Sequence, residues 1–501
     1  MKPTNDVPDL KQRMTPLNMD AETFRQNGHL LIDRIAAFLE SFPGRPVTTG
    51  EQPREIRAIL GEGSLPLNGI ATENIFHHAM ELLFEHSLLN GSPRFWGYIT
   101  SSPAPAGILA DLLAASVNAN VGAYILSPMA TEIEKQAIQW VAEFIGFPKN
   151  CGGLFVSGGN MANITGLLAA RKAKATWNIR KTGLGNRQML IYCSKGTHTW
   201  ISKAADLLGF GTDNIRWIDI NEHQQMNVRA LEKQVQADKK QGYLPFIVVG
   251  TAGSVSTGAV DPLEEIASVC KQYNLWFHID GAYGAPAVVV PEVSYMFKGM
   301  ELADSIALDP HKWLYNPLEA GCILVRNAQA LQEAFSFRPE YYNFDGQEND
   351  PVMNFHEAGF QNSRGFRALK TWITLKQAGK NGYTTMIQDD IKLAKTLFII
   401  ARTHIELEAV SHHLSIVTFR FIPRGHNSTD SADYLNKLNE EIVNRVQAGG
   451  EAFLSNAMIE NKYCLRVCIV NFRTSFEDIE ALAEIVLRTG RTIHQELTVE
   501  K

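Results

Sequence analysis

The sequence predicts an α/β protein built on a mostly parallel sheet, with a smaller α+β unit toward its C-terminal end. Three observations carry this. Short apolar strands alternate with helical segments from Gly153 to about Arg326, the signature of a sheet covered by helices. Helical stretches with a wide apolar stripe precede that region, and after about residue 386 the order changes to strand, helix, hairpin and helix.

Residues 1–18 are polar, carry prolines at 3, 8 and 16, and read as a flexible leader. A helix is expected from about Asp20, with Leu31, Ile35, Phe38 and Phe42 on one stripe and Ile32, Ala36 and Leu39 beside it. Such a face must be covered, so this helix and the next, about 73–88, are expected to pack on another subunit. The predicted strands are Gly153–Val156, Gln188–Cys193, Asn214–Ile220, Leu244–Val249, Leu275–Ile279, Ser305–Leu308 and Gly321–Val325. Residues 340–362 are polar and rich in Asn, Asp, Glu and Gly, which reads as a mobile active-site loop. Beyond them, strand Leu414–Ile422, helix Ser431–Gln447, a hairpin through Tyr463–Val470 and helix Ser475–Glu496 describe the small unit. The expected division is a leader at 1–18, an N-terminal helical segment at 19–95, a large domain at 96–385 and an α+β domain at 386–501.

With 501 residues, 45% hydrophobic and 20% charged, the chain can bury a large core, and a formal net charge of -6 gives no electrostatic reason to expect nucleic acid or an anionic membrane. No apolar run approaches the roughly 20 residues that span a bilayer, and the N-terminus lacks a signal-peptide core. Cys151, Cys193, Cys270, Cys322, Cys464 and Cys468 are scattered, without a CxxC pair or a matching His cluster. Free thiols in a cytoplasmic setting follow, with neither a disulfide framework nor a metal.

Four elements carry chemistry. Lys312, in ALDPHKWLYNP (307–317), follows His311 just past an apolar strand. A lysine desolvated there would have a lowered pKa and an amine free to attack a carbonyl, although a lysine at a strand end is ordinarily a surface residue. Asp280, in WFHIDGAYG (276–284), ends a strand and is followed by Gly281 and Ala282. It can hold a cofactor's pyridine nitrogen protonated, or simply cap a turn. In FVSGGNMANITGLLAAR (155–171), Gly158 and Gly159 lead into a helix at Asn160, a turn that suits a phosphate and is otherwise common. His198, in KGTHTWISKAAD, either stacks on a flat cofactor ring and moves protons or is a polar residue at a helix start.

In this order and spacing the four resemble the group II pyridoxal-phosphate decarboxylases, which act on aromatic amino acids, histidine or glutamate. The likeness extends through MDAETFRQNGHLLIDRIAAFLE (19–40), SPRFWGYITSSPAPAGILADLL (92–113), SPMATEIE (127–134) and SRGFRALKTW (363–372). It implies an aspartate-aminotransferase-like fold of type I in a homodimer, and pyridoxal 5′-phosphate as cofactor. It further implies a Schiff base on Lys312, Asp280 at the pyridinium, Ala282 and His198 on either face of the ring, and Gly158, Gly159 and Asn160 at the phosphate, with Asp309 and His311 close by. Tyr98, Thr100, Phe355 and Ser363 would face the substrate. The implied reaction is decarboxylation of an L-amino acid, aromatic by preference, to an amine. Glutamate, diaminobutyrate and cysteine sulfinate are further substrates within the family.

Three departures bear on this. Phe355 stands where the aromatic branch has a loop tyrosine that protonates the α-carbon, and phenylalanine there is associated with oxidative deamination to an aldehyde; His356, Tyr341 or Tyr342 are other proton sources. Asn90, Asn120 and Gly122 occupy positions that the aromatic branch fills with apolar side chains, and Ser363 replaces a glycine of some members, a hydroxyl that suits a phenol or imidazole. Asp309 replaces an asparagine near the phosphate, where an ionised carboxylate needs a compensating donor. From another class, a non-catalytic binding protein could retain the fold, but the retained Lys312, Asp280 and His198 argue against it.

Overall fold

Seven strands form the larger sheet: β1 (Gly152–Val156), β2 (Met189–Ser194), β3 (Ile215–Ile218), β4 (Leu244–Thr251), β5 (Trp276–Asp280), β6 (Ser305–Leu308) and β7 (Gly321–Val325). They are seen in a computed structural model that describes residues 15–337, 352–425 and 432–499. The order is β1-β7-β6-β5-β4-β2-β3. β7 is antiparallel to both its neighbours and every other pair is parallel. Every residue of β2, β5, β6 and β7 is buried. Since successive side chains point to opposite faces, such strands are covered on both, which is why they appear in the sequence as unbroken apolar runs. The strand expected at Asn214–Ile220 is shorter than predicted, because Thr212–Asn214 forms a 3-10 turn ahead of Ile215.

The smaller sheet is antiparallel, in the order β10-β11-β9-β8, from β8 (Leu407–His413), β9 (Ile416–Phe421), β10 (Ser455–Ile459) and β11 (Lys462–Cys468). β8 was not anticipated: it is an edge strand, half-buried along six of its seven residues, and gives a weak apolar signal. Helices Ala432–Gly449 and Phe476–Val499 close this unit around Leu438, Ile442, Leu482 and Val486. The long helix Ala368–Thr403 packs on both units and contains the expected boundary at 385/386; its one break is at Gly379, whose φ of 62° leaves the helical region.

The N-terminal helices are built differently. Helix Ala21–Ser41 starts on Asp20, whose carboxylate accepts the Thr23 N–H at 2.8 Å, as an N-cap should. None of its 21 residues is buried. Helix Thr72–His86 meets it through Phe38 stacked on Phe84 and buries only Met80. Helix Pro105–Val117 packs one side on the long helix and leaves Leu109, Leu112, Leu113 and Val117 exposed. Among the described residues no helix is long and apolar enough to cross a membrane, and all six cysteines are unpaired.

Candidate active site

A cavity of about 510 Å³ opens where the parallel strands end. Ser157 just past β1, Thr251 at the end of β4, Asp280 at the end of β5 and Asp309 just past β6 all line it, together with His198, Ala282, His311 and Lys312. Strand carboxyl ends are where ligands bind in sheets of this kind, because the loops there are free to vary over a rigid frame.

Asp280 is buried and held on two sides. Its Oδ2 accepts the Trp200 indole N–H at 2.8 Å, and its Oδ1 accepts the Ala282 backbone N–H at 3.2 Å. His278, two residues earlier on β5, ties the strand to its neighbours. Its Nε2 lies 2.7 Å from Asn163 Oδ1 and its Nδ1 2.8 Å from Ser305 Oγ, and burial pushes its pKa down to about 4, so the ring is neutral. His198 precedes helix Trp200–Leu207, and the Trp200 backbone N–H donates to its Nδ1 at 3.1 Å. That bond leaves the ring proton on Nε2. Burial lowers the pKa of His198 against the opposing pull of Asp280.

Helix Gly159–Lys174 has Gly158 as N-cap at φ 117°, with no side-chain cap, so its first amides are uncommitted. Packing also requires glycine at Gly159, where a Cβ would fall 2.6 Å from Asp309 Oδ2, and at Gly321 on β7, where one would fall 2.5 Å from the Gly158 carbonyl carbon. Asn160 lines the same corner.

Lys312 lies in the turn after β6, its Nζ 2.9 Å from Asp309 Oδ2. Burial alone would depress the ammonium's pKa, but the charge and hydrogen bond of Asp309 outweigh it and hold the pKa above the usual lysine value. This reverses the expected direction: the desolvation is present, but Asp309 compensates it. His311 is nearly buried, its Nδ1 2.7 Å from the Ala320 carbonyl and its Nε2 3.7 Å from Asp309 Oδ2.

The expected substrate residues are not among those lining this cavity. Tyr98 is 62% exposed, at φ 54°. Thr100 lines a neighbouring cavity of about 340 Å³ and has its hydroxyl oxygen buried without a partner. Ser363 is exposed. Phe355 is only 1% exposed and lies in the core under the guanidinium of Arg364, whose Cζ is 4.7 Å from the ring centre. The segment read as a loop is therefore core at Phe355. Arg364 is the reason, since it forms a fully buried ion pair with Glu134 and donates to the Val121 and Phe155 carbonyls at 2.8 and 2.7 Å. His356 hydrogen-bonds to the Gly122 carbonyl, while Tyr341 and Tyr342 fall outside the described residues. Sequence reasoning missed Trp200 and Asn163. Trp200 sits two positions after His198, in the same THTW stretch, which is the one local signal that could have drawn attention to it.

The residues present fit pyridoxal 5′-phosphate: an amine at the cavity floor, a carboxylate fixed by two donors and a glycine cradle that a single Cβ would fill. Residues 55–422 match the family model for the pyridoxal-dependent decarboxylase conserved domain, and the chain belongs to that family. It is a pyridoxal-phosphate-dependent amino acid decarboxylase of fold type I. Among its relatives, the aromatic-L-amino-acid decarboxylase of Bacillus atrophaeus is 36% identical over 478 residues, covering 94% of this chain and 97% of that one. The phenylacetaldehyde synthase of a Rosa hybrid cultivar is 27% identical over 475 residues, covering 93% of each. The crystal structure of Oryza sativa TDC with PLP and tryptamine superposes with a TM-score of 0.88 at 26% identity, over 96% of this chain and 100% of that one.

Proposed function

We propose that the protein decarboxylates an aromatic L-amino acid to the corresponding amine and carbon dioxide, with Lys312 holding the cofactor. The observation that carries this is the constellation lining one cavity at the strand ends, Lys312, Asp280 and His198 around the Gly158–Asn160 cradle. The aromatic assignment is supported by the relatives, an aromatic-L-amino-acid decarboxylase and a structure named with tryptamine.

When bound, the cofactor supplies an electron sink for the pair released as the carboxylate leaves. The amine of Lys312 would anchor the cofactor's aldehyde carbon, with the proton that Asp309 stabilises lent out for the attack and recovered on nitrogen as one water leaves. Asp280, fixed by Trp200 and the Ala282 amide, keeps a proton on the pyridine nitrogen through a charge-assisted hydrogen bond. Ala282 leaves room for a flat ring, and His198 keeps its Nε2 proton because Nδ1 is committed to Trp200. Gly158, Gly159 and Asn160 bind the phosphate through uncapped amides at a helix N-terminus.

A second copy of the chain completes the substrate side in this reading. Support comes from the apolar side chains that helix Pro105–Val117 leaves exposed and from the positions of Tyr98 and Ser363 off the cavity wall. The free thiols fit the cytoplasmic setting expected from the sequence.

The alternative product is the aldehyde, in which dioxygen and water convert the amine-level species to aldehyde, ammonia and hydrogen peroxide. Phe355 is the observation that favours it, since a phenyl ring donates no proton. Its burial under Arg364, off the cavity wall, favours the amine instead. The test is to supply L-tryptophan, L-tyrosine, L-phenylalanine and L-3,4-dihydroxyphenylalanine under air, with Phe355→Tyr alongside. Amine equal to carbon dioxide, without peroxide and unchanged in the variant, is the expected result. Peroxide and aldehyde in step with carbon dioxide, and their suppression in Phe355→Tyr, would overturn it.

A further inference from the structure

The corner of the cavity nearest the glycine cradle carries a carboxylate that is only half satisfied. Asp309 is 2% exposed. Its Oδ2 is shared by Lys312 Nζ at 2.9 Å and His311 Nε2 at 3.7 Å, whereas its Oδ1 is buried with no hydrogen-bond partner. The same carboxylate faces the start of helix Gly159–Lys174, close enough that a methyl on Gly159 would sit 2.6 Å from Oδ2. A phosphate placed on the first amides of that helix therefore arrives beside an acid.

Like charges at contact distance in a buried corner cannot all stay ionised, and the usual resolution is a shared proton. A phosphate monoester has its second pKa near ~6 and is a dianion in neutral solution. The charged groups around Asp309 limit where a compensating proton can reside. Lys312 balances Asp309 only while its ammonium stays at Oδ2, and the amine is drawn away when it takes up the cofactor's aldehyde carbon. Condensation of an ammonium with an aldehyde expels one water and keeps the positive charge on nitrogen, so that step neither supplies nor consumes a proton. Asp280 shares Lys312 and His198 with Asp309 and adds charge of the same sign. Cys322 on β7 is a buried thiol, and His198 has its Nδ1 committed to Trp200. His311 remains, opposed by the positive charge of Lys370 but favoured by Asp309, with Nδ1 between the Ala320 carbonyl and amide and Nε2 facing Asp309, together with the orphaned oxygen of Asp309 itself.

We propose that the chain binds the phosphate of its cofactor together with one proton, held between Asp309 and His311. The inference rests on the reading that Gly158–Asn160 form the phosphate site. A proton there lets Asp309 donate where a carboxylate could only repel, or lets His311 face Oδ2 as an imidazolium.

The test uses full-length apoprotein and reads cofactor binding rather than turnover. Association of pyridoxal 5′-phosphate and of pyridoxal, which lacks the phosphate, is measured by absorbance and fluorescence from pH 6.5 to 9 in the wild type and Asp309→Asn. One linked proton makes the wild-type association constant for the phosphate form fall about tenfold per pH unit more steeply than that of the variant, with no such difference for pyridoxal. Calorimetry of the wild type in two buffers of different ionisation enthalpy should report about one more proton taken up per phosphate form bound than per pyridoxal bound, which cancels any proton taken up at the pyridine nitrogen and keeps the test independent of how the variant folds. Parallel slopes with no difference in proton uptake, alongside a large phosphate advantage, overturn the proton and leave the cradle standing. Equal binding of the two forms overturns the cradle reading and this inference with it.

Discussion

The two sides of the site are built to different standards. Toward the strand ends, the side chains expected to hold the cofactor have partners within the chain: the buried Asp280 with Trp200, the half-buried Lys312 with Asp309, and the exposed His198 with the Trp200 amide. On the substrate side Tyr98 and Ser363 are exposed, Thr100 has an unpartnered hydroxyl in a neighbouring cavity, and Phe355 is committed to the core. Groups that hold a cofactor can be fixed by one rigid sheet. In the proposed reading, the exposed Tyr98 and Ser363 would be completed by a second copy of the chain, for which the exposed apolar face of helix Pro105–Val117 is the candidate surface.

The first way to break the contrast is to remove its anchor. Lys312→Ala should lose the cofactor's bound absorbance band and more than about a thousandfold of activity, since no other described amine lines the cavity. Retention of either would move the anchor elsewhere. A smaller effect, confined to the other side, is expected from Leu109→Glu with Leu112→Glu, two side chains that are each about half exposed in the single chain. Carboxylates buried unpaired in an apolar interface oppose association. The double variant should sediment as a monomer, keep the Lys312-dependent band and lose at least about tenfold in turnover. A variant that stays dimeric and active would show that this face is not the interface.

How much of this was legible beforehand follows the same divide. Most strands of the larger sheet were readable because β2, β5, β6 and β7, buried on both faces, read as largely apolar runs, and Lys312 and Asp280 because each sits just past such a run; the edge strand β3, partly exposed, was found with the wrong bounds. The half-buried edge strand β8 was invisible, having neither a clean alternation nor a full apolar run. Partners joined only by folding were out of reach as well: Trp200 meets Asp280 across 80 positions and Arg364 meets Glu134 across 230. The compensation that Asp309 needs was recognised in the sequence as a requirement, and its source, the amine of Lys312 three residues on, became visible only in the folded turn.

That turn has an anchor of its own, which gives the smallest of the expected effects. Trp313 Nε1 and Tyr315 Oη, on either side of Leu314 and directly after Lys312, both donate to Asp390 Oδ2 on the long helix, at 2.8 and 2.7 Å. Burial pushes the Asp390 carboxyl up to about 7, against the pull of these two hydrogen bonds. A carboxyl raised in the folded state binds more protons there than in the unfolded chain between about pH 4 and 7. Its contribution is therefore complete below that window and is lost as pH rises through it. The slope of stability against pH is at most about 1.4 kcal/mol per unit from one such group. Asp390→Asn cannot titrate, so the thermal midpoint of the variant should change less between pH 5 and 7.5 than that of the wild type, measured by calorimetry on the holoprotein. Since Asn still accepts one of the two hydrogen bonds, the lysine turn should keep its cofactor band. Identical pH slopes in the two proteins would mean that Asp390 stays ionised across the range, and that it holds Trp313 and Tyr315 by charge rather than as a neutral acid.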